Sequence, residues 1–230
     1  MCGRYSITAK AEKLAQRFKV EVGENYTPRF NAAPTQLLPI ITGENPEGFS
    51  LFYWGLVPQW SNNKSISAKF YNAKAESLLE KTGYKNALTN RRCLVPADGF
   101  YEWKNISKKS KIPYRITQQD KEPFAFAGLW EEYENEENEM VHTFSIITTE
   151  ANSAMQEINE RMPVILSPEA EKIWLNNEST IEELMNALQP VANIDFHTVS
   201  SQVNSVQIDR PDLIKPAPAI DQHGNYTLFN

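Results

Sequence analysis

Arg91-Arg92-Cys93-Leu94-Val95-Pro96-Ala97-Asp98-Gly99-Phe100-Tyr101-Glu102-Trp103 is the stretch that decides the fold. Its apolar and aromatic runs, at 93–95 and 100–103, flank Asp98-Gly99, a dipeptide that favours a turn, so it predicts strand, turn, strand. Working outward, similar runs predict strands over 50–56, 113–117, 124–130, 142–148, 163–166 and 196–199. Pro28, Pro34 and Pro39 exclude a long helix from 26–42. The acidic run from Glu131 to Glu139 lies between two strand-like segments and reads as a solvated hairpin loop.

Helix signals sit at the margins of this pattern. Thr8 can cap a first helix in which Leu14 and Phe18 share a face. Ser167 before Pro168 is a cap followed by proline at the first helical position. Thr180 and Glu183 have capping-box spacing, with Pro190 as terminator, and a further helix is predicted over 153–160. The sum is a strand-dominated α+β fold with peripheral helices. With no repeat and no Pro/Gly/Ser-rich linker, one domain over 1–230 is expected.

Composition narrows the function classes. Hydrophobic residues make up 41% and charged residues 23%, which excludes wholesale disorder. No apolar run approaches the roughly 18–20 residues of a membrane helix, and the N-terminus lacks the apolar stretch of a secretory signal, so a cytoplasmic protein with no membrane partner is expected. Two cysteines exclude a disulfide framework and a four-cysteine zinc site. Only His142, His197 and His223 remain for a histidine metal centre, so neither metal nor cofactor is expected. Residues 1–121 hold 19 basic and 10 acidic side chains, a balance of +9, whereas 122–230 hold 4 and 19, a balance of −15. Such a split hints at polyanion binding through the first half. Taken alone, it is explained more simply by acidic surface helices gathering late in the chain.

Several residues could carry chemistry. Removal of Met1 would leave Cys2 with an α-amine (reference pKa about 7.7–8.0) and a thiol (about 8.5) on adjacent carbons. A 1,2-aminothiol condenses with an aldehyde to an imine, and the thiol then closes a thiazolidine. The same residue could act as an N-terminal nucleophile on an amide or ester. From position alone, an incidental buried cysteine is the simpler reading, and Cys93, in an apolar strand, reads as core. Asn72, Lys74 and Glu76 share a face if their segment is extended, but the segment also reads as the start of a surface helix. Glu102, set among aromatics, could be desolvated and tuned for general acid–base work, or could point outward into water. Trp54 and Trp60, around Pro58, could stack on bases or fill a core. Arg161 could bind phosphate or pair with a carboxylate.

The order of these motifs is more specific than any one of them. MCGRY (1–5), NAAP (31–34), WGLVPQW (54–60), NAKAES (72–77), RRCLVPADGFYEW (91–103), FAFAGLWE (124–131), FSIITTEAN (144–152) and RMPVIL (161–166) together resemble the SRAP family, the SOS-response-associated peptidases, also known as abasic-site processing proteins. The resemblance is strongest over 2–215. It implies a single β-rich domain, with mixed and antiparallel sheets in a barrel-like arrangement and peripheral helices. It also implies a basic cleft for single-stranded DNA containing abasic sites. Cys2 would be the nucleophile, Asn72 would hold the sugar and the Cys2 amine, and Glu102 would shuttle the proton that opens the sugar ring. Arg4 and Arg92 would meet phosphates, and Pro34 and Trp60 would shape the cleft. Lys74 and Arg161 complete the expected DNA contacts. A nucleoid-associated monomer, with replication-fork proteins as further partners, completes the expectation.

Two departures stand out. Lys74 replaces the arginine usual in the family, keeping charge but losing bidentate geometry, so weaker DNA binding is expected. Asn159 stands where the family usually carries a histidine, and an amide does not exchange protons near neutral pH. Slower strand scission and crosslink reversal are therefore expected. Two readings compete with aldehyde trapping: a thiol peptidase or autopeptidase using Cys2, and a single-strand-binding module with reduced chemistry.

Overall fold

The computed structural model describes residues 2–58, 61 and 70–226. In chain order its strands are β1 (Tyr5–Ile7), β2 (Arg29–Ala32), β3 (Leu37–Thr42), β4 (Ser50–Trp54), β5 (Asn72–Lys74), β6 (Arg92–Ala97), β7 (Gly99–Ser107), β8 (Ser110–Gln118), β9 (Phe124–Glu134), β10 (Met140–Glu150), β11 (Arg161–Pro163), β12 (Ile165–Leu166) and β13 (Ile194–Thr198). The helices are α1 (Ala11–Phe18), α2 (Thr82–Asn90), α3 (Pro168–Leu175) and α4 (Ile181–Asn186).

The two longest strands organise the fold. β9 and β10 pair antiparallel from Glu134 opposite Met140 to Gly128 opposite Ile146. β10 also runs parallel to β4, with Phe144 opposite Trp54, and antiparallel pairings lead from β4 to β3, β6 and back to β9. Those five strands close a mixed barrel, and closure removes their open edges. β5 and β11 pair with the far end of β10, and β12 pairs with β9. A second, antiparallel sheet has the order β13-β8-β7-β1-β2. Buried aromatics join the two sheets. Tyr5 from β1 meets Trp54 edge-on at 5.3 Å and Phe126 at 5.9 Å, and Trp54 stacks on Phe144 at 6.2 Å. Gly128 lets β9 approach β6, since a Cβ there would lie 2.7 Å from the Cys93 thiol. Cys93 is core, as its apolar strand predicts.

Asp98-Gly99 does make a turn, but the turn is a change of sheet and not a hairpin. The chain leaves the barrel at Ala97 and enters the second sheet at Gly99. The Asp98 carboxylate accepts from the hydroxyls of Ser6 and Thr8 at 2.7 Å each, from the Ala9 N–H at 2.9 Å and from Arg115 at 3.0 Å. Gly99 is needed because a Cβ would strike the Arg115 guanidinium at 2.7 Å. This network also corrects the Thr8 expectation. Its hydroxyl is spent on Asp98, and α1 starts later, at Ala11, with no side-chain cap.

Elsewhere the helix signals hold or shrink. Ser167 caps α3 and the Thr180–Glu183 capping box is formed. The helix predicted over 153–160 is only a 3₁₀ turn (Met155–Glu157), because the chain must straighten to pair Arg161 with Glu150. α2 carries no signal read above. The acidic hairpin loop is shorter than its run of charges: Glu131 lies within β9, buried against Arg91 at 2.8 Å.

Candidate active site

The antiparallel register of β1 on β7 (Tyr5 opposite Phe100, Ser6 opposite Gly99) leads the N-terminal segment along β7. The Tyr101 N–H donates to the Arg4 carbonyl at 3.0 Å, so residues 2–4 run beside 101–103. β5, short and extended, reaches the same place from the barrel, since Asn72 pairs with Ile146 of β10. Asn72 donates its amide N–H to the Cys2 carbonyl at 2.7 Å. Its Oδ1 is buried and accepts no hydrogen bond among the described residues. Asn159 follows the 155–157 turn. Its Oδ1 accepts from the Arg161 N–H at 3.2 Å, which turns its Nδ2 toward Glu102, to whose Oε2 it donates at 2.9 Å. Cys2, Asn72, Glu102 and Asn159, far apart in sequence, thus form one cluster.

Glu102 is 3% exposed. Burial pushes its carboxyl up to about 7, despite the opposing hydrogen bonds from Asn159 and the Trp103 backbone. A carboxyl poised there can give and take a proton at neutral pH. The Cys2 thiol is fully buried, 3.8 Å from the Arg4 carbonyl. Burial pushes it well above its ordinary value and the negative charge of Glu102 adds to the effect. It rests as a neutral thiol, suited to adding to a strongly electrophilic carbon while passing its proton to a base. It is poorly suited to attack an amide as a free thiolate.

Glu102 and Asn159 line a cleft of about 480 Å³ together with Tyr71, Trp103, Lys111 and Gln222 among others, while Cys2 and Asn72 lie behind them and are not among its lining residues. Arg4, half-buried nearby, donates to the carbonyls of Gly3 at 3.0 Å and Asn204 at 3.4 Å, and no carboxylate neutralises it among the described residues. Lys74 and Arg161 line an adjoining cleft of about 530 Å³ with Glu150, Gln156 and Glu160. Lys74 is exposed, while Arg161 is held by both carboxylate oxygens of Glu76 at 3.2 and 3.0 Å, so a phosphate must displace that carboxylate. Pro34 sits in the turn between β2 and β3 and is not among the lining residues of either cleft. Trp54 is core, and Trp60 lies outside the described residues.

Arg92 is a correction. It is 3% exposed, and all five of its N–H donors are spent on the carbonyls of Leu88, Thr89, Trp174 and Asn176 and the side-chain oxygen of Asn177. It joins the C-terminal ends of α2 and α3, where carbonyl dipoles favour a cation, and has no donor left for a phosphate. The three histidines do not line the cleft either. His142 stacks on Phe52, His197 bonds to the Ile214 carbonyl and His223 to that of Lys109.

Other lining residues went unassigned in the sequence. Trp103 stood inside the deciding stretch without a role; its indole N–H donates to Asn204 Oδ1 at 2.7 Å. Asn204 and Gln222 arrive on a C-terminal segment fastened by Asn31, whose amide donates to the carbonyls of Val203, Ser205 and Ile208. No local pattern marks that segment as a cleft wall.

Comparison with known proteins gives consistent matches. The family model of the SOS response associated peptidases (SRAP) matches residues 1–206. Abasic site processing protein YoqW of Bacillus subtilis (strain 168) is 40% identical over 223 residues, covering 94% of this chain and 99% of its own. Abasic site processing protein HMCES of Gallus gallus is 30% identical over 262 residues, covering 94% and 78%. A crystal structure of a protein from Bacteroides thetaiotaomicron has a TM-score of 0.82 at 29% identity, covering 94% of this chain and 100% of that one.

Proposed function

This chain belongs to the SRAP family, and from that premise we propose that it senses and shields abasic sites in single-stranded DNA by forming a thiazolidine on Cys2. One observation carries the reading: the buried Cys2 is held by Asn72 within the electrostatic reach of Glu102, a carboxyl poised near neutrality that itself lines an open cleft.

The chemistry requires removal of Met1, because an acylated nitrogen cannot form an imine. The freed α-amine adds to the C1′ aldehyde of the ring-opened sugar, and loss of one water leaves an imine. The Cys2 sulfur then adds to the imine carbon as the C=N π bond opens, the thiol proton passes by way of a base to the ring nitrogen, and a five-membered ring closes. Glu102, its carboxyl pushed up by burial, serves as acid for ring opening and water loss and as base for the thiol proton. The buried Asn72 Oδ1 is a ready acceptor for the new amine or a sugar hydroxyl.

The test is a denaturing-gel assay on single-stranded DNA with one abasic site, with the intact mass of the protein recorded on the same sample. A heat-stable adduct is expected, absent for Cys2→Ala and for undamaged DNA. No adduct from protein shown to begin at Cys2 overturns the reading. Asn159 has no titrating nitrogen, so strand scission and crosslink reversal are slow here, and Asn159→His accelerates them. Equal rates in parent and variant would count against that role. The same reading carries a nucleoid-associated monomer working beside replication-fork proteins, which sedimentation and pull-down on damaged DNA would check.

A further inference from the structure

The β7–β8 hairpin places Lys104, Lys108, Lys109 and Lys111 within a few residues of one another. Lys108, Lys109 and Lys111 are exposed, and none of the four amines pairs with a carboxylate among the described residues. Among the other described lysines only Lys13 (with Glu122) and Lys121 (with Asp195) form an ion pair, so what sets the hairpin apart is the clustering of four unpaired amines in eight residues. Register ties this charge to the cleft. Asn105 lies opposite Lys111, on the strand face that carries Trp103, and all three line the cleft beside Glu102.

The tip is braced by the loop around Asp221–Asn225. Ser110 donates to Asp221 at 2.8 Å, the Lys111 N–H donates to Gln222 Oε1 at 2.7 Å, and Gln222 Nε2 donates to the Lys109 carbonyl at 2.7 Å. Asp221 does not reach the lysine amines. The backbone N–H of Asn225, above all, and the Ser110 hydroxyl hold its carboxyl down at about 2 and turned toward the loop. The backbone that presents the lysines is therefore ordered by hydrogen bonds while their charge is left uncompensated.

Resting on the single-strand reading of the cleft, we infer that this hairpin is a phosphate-binding arm that holds the DNA backbone on one side of the lesion. From Glu102 to Ser107 the strand rises about 17 Å at ~3.3 Å per residue. That is room for about five stacked nucleotides at ~3.4 Å each. Lysine suits this task, since its point charge binds phosphates without regard to base sequence.

The experiment is fluorescence anisotropy on single strands of about 25 nucleotides carrying a tetrahydrofuran abasic analogue, which has no aldehyde, so binding is read apart from crosslinking. The analogue is placed centrally or a few nucleotides from either end. In Lys108→Gln/Lys109→Gln/Lys111→Gln, the slope of log K against log salt on the central probe becomes shallower by about 2, at ~0.7 per phosphate contact. The parent's affinity advantage accordingly shrinks by about an order of magnitude between roughly 50 and 200 mM salt. One end-placed probe shows the same loss and the other little, which identifies the side the arm serves. An unchanged slope, equal loss on both end-placed probes, or the same loss in a charge-matched Lys10→Gln/Lys13→Gln/Lys85→Gln variant overturns the arm. If the parent forms the aldehyde adduct and the arm variant behaves in any of those ways, only the arm falls. If the parent neither binds nor forms the adduct, the reading of the cleft falls with it.

Discussion

β6 and β7 come from one short stretch and meet at Asp98, and each buries a charged side chain with an opposite fate. Arg92 of β6 spends every donor on backbone and amide oxygens at two helix ends. Glu102 of β7, buried to the same degree, faces a cleft and titrates near neutrality. Burial of a charge therefore does not identify a working residue. What separates the two is whether the surrounding structure saturates the group in one protonation state or leaves it poised between two.

Glu102→Gln gives the largest expected effect on this contrast. Adduct formation slows by about 10²–10⁴-fold, the usual worth of a positioned acid–base group, while the fold persists. Single-turnover kinetics against a circular-dichroism melt would break the contrast if rate and stability fell together. Arg92→Ala should do the reverse. It orphans neutral oxygens at two helix ends, each costing about 1–3 kcal/mol if left unpaired, so stability falls by a few kcal/mol and the melting temperature by roughly 10 °C in a chain of this size. The remaining folded protein keeps its affinity for single strands, and loss of affinity without loss of stability would restore Arg92 to the DNA contacts.

The pH dependence sharpens the same comparison. The Glu102 pKa is raised in the folded state, from 4.5 to about 7, so its proton favours the fold. The stability this contributes is fully present below about pH 4.5 and is lost as pH rises through about 7, on the order of 3 kcal/mol in all. Urea melts across that window should slope accordingly and flatten in Glu102→Gln. Asn159→Ala removes a donor that favours the charged carboxylate, so the limb of the pH–rate profile moves upward, with a change of only a few-fold in rate at pH 7. An unmoved limb would deny Asn159 a hold on Glu102. The smallest effect belongs to Asn204→Ala, which frees the Trp103 indole at a cost of about 1 kcal/mol or less. Red-shifted tryptophan emission and slightly weaker binding of single strands are expected.

The two strands also show how legible the molecule was. The Asp98-Gly99 turn and the strands on either side of it were readable, since turn chemistry and apolar runs are local. That the turn changes sheet was not, because it depends on Ser6, Thr8 and Arg115 converging on one carboxylate from elsewhere in the chain. Arg92 was expected at phosphates, and it directly follows Arg91. They part at the junction of α2 and β6, Arg91 as the residue closing the helix going to Glu131 and Glu132 and Arg92 as the first strand residue going to the helix ends. Thr8 was a sound cap by composition, but its hydroxyl is spent on Asp98 and α1 starts uncapped at Ala11. The Glu131–Glu139 run looked like loop because charge suggests solvent, yet hairpin pairing carried Glu131 into the core.

By itself the amino-acid sequence determined the β-rich class, the capped helices α3 and α4, the burial of Cys93 and, through the order of its motifs, the family. Through that resemblance it also pointed to Cys2, Asn72, Glu102 and Asn159 as one site. Only the tertiary structure decided that Glu102 faces a cleft while Arg92 is locked beneath helices, that Asn72 grips the Cys2 carbonyl, and that the lysines of the β7–β8 hairpin stand uncompensated on a braced tip. The physical reason is range. Propensity, capping and turn chemistry act over a few residues, whereas the face a side chain presents, and the partners that saturate it or leave it poised, depend on strand register and barrel closure between segments far apart in the chain.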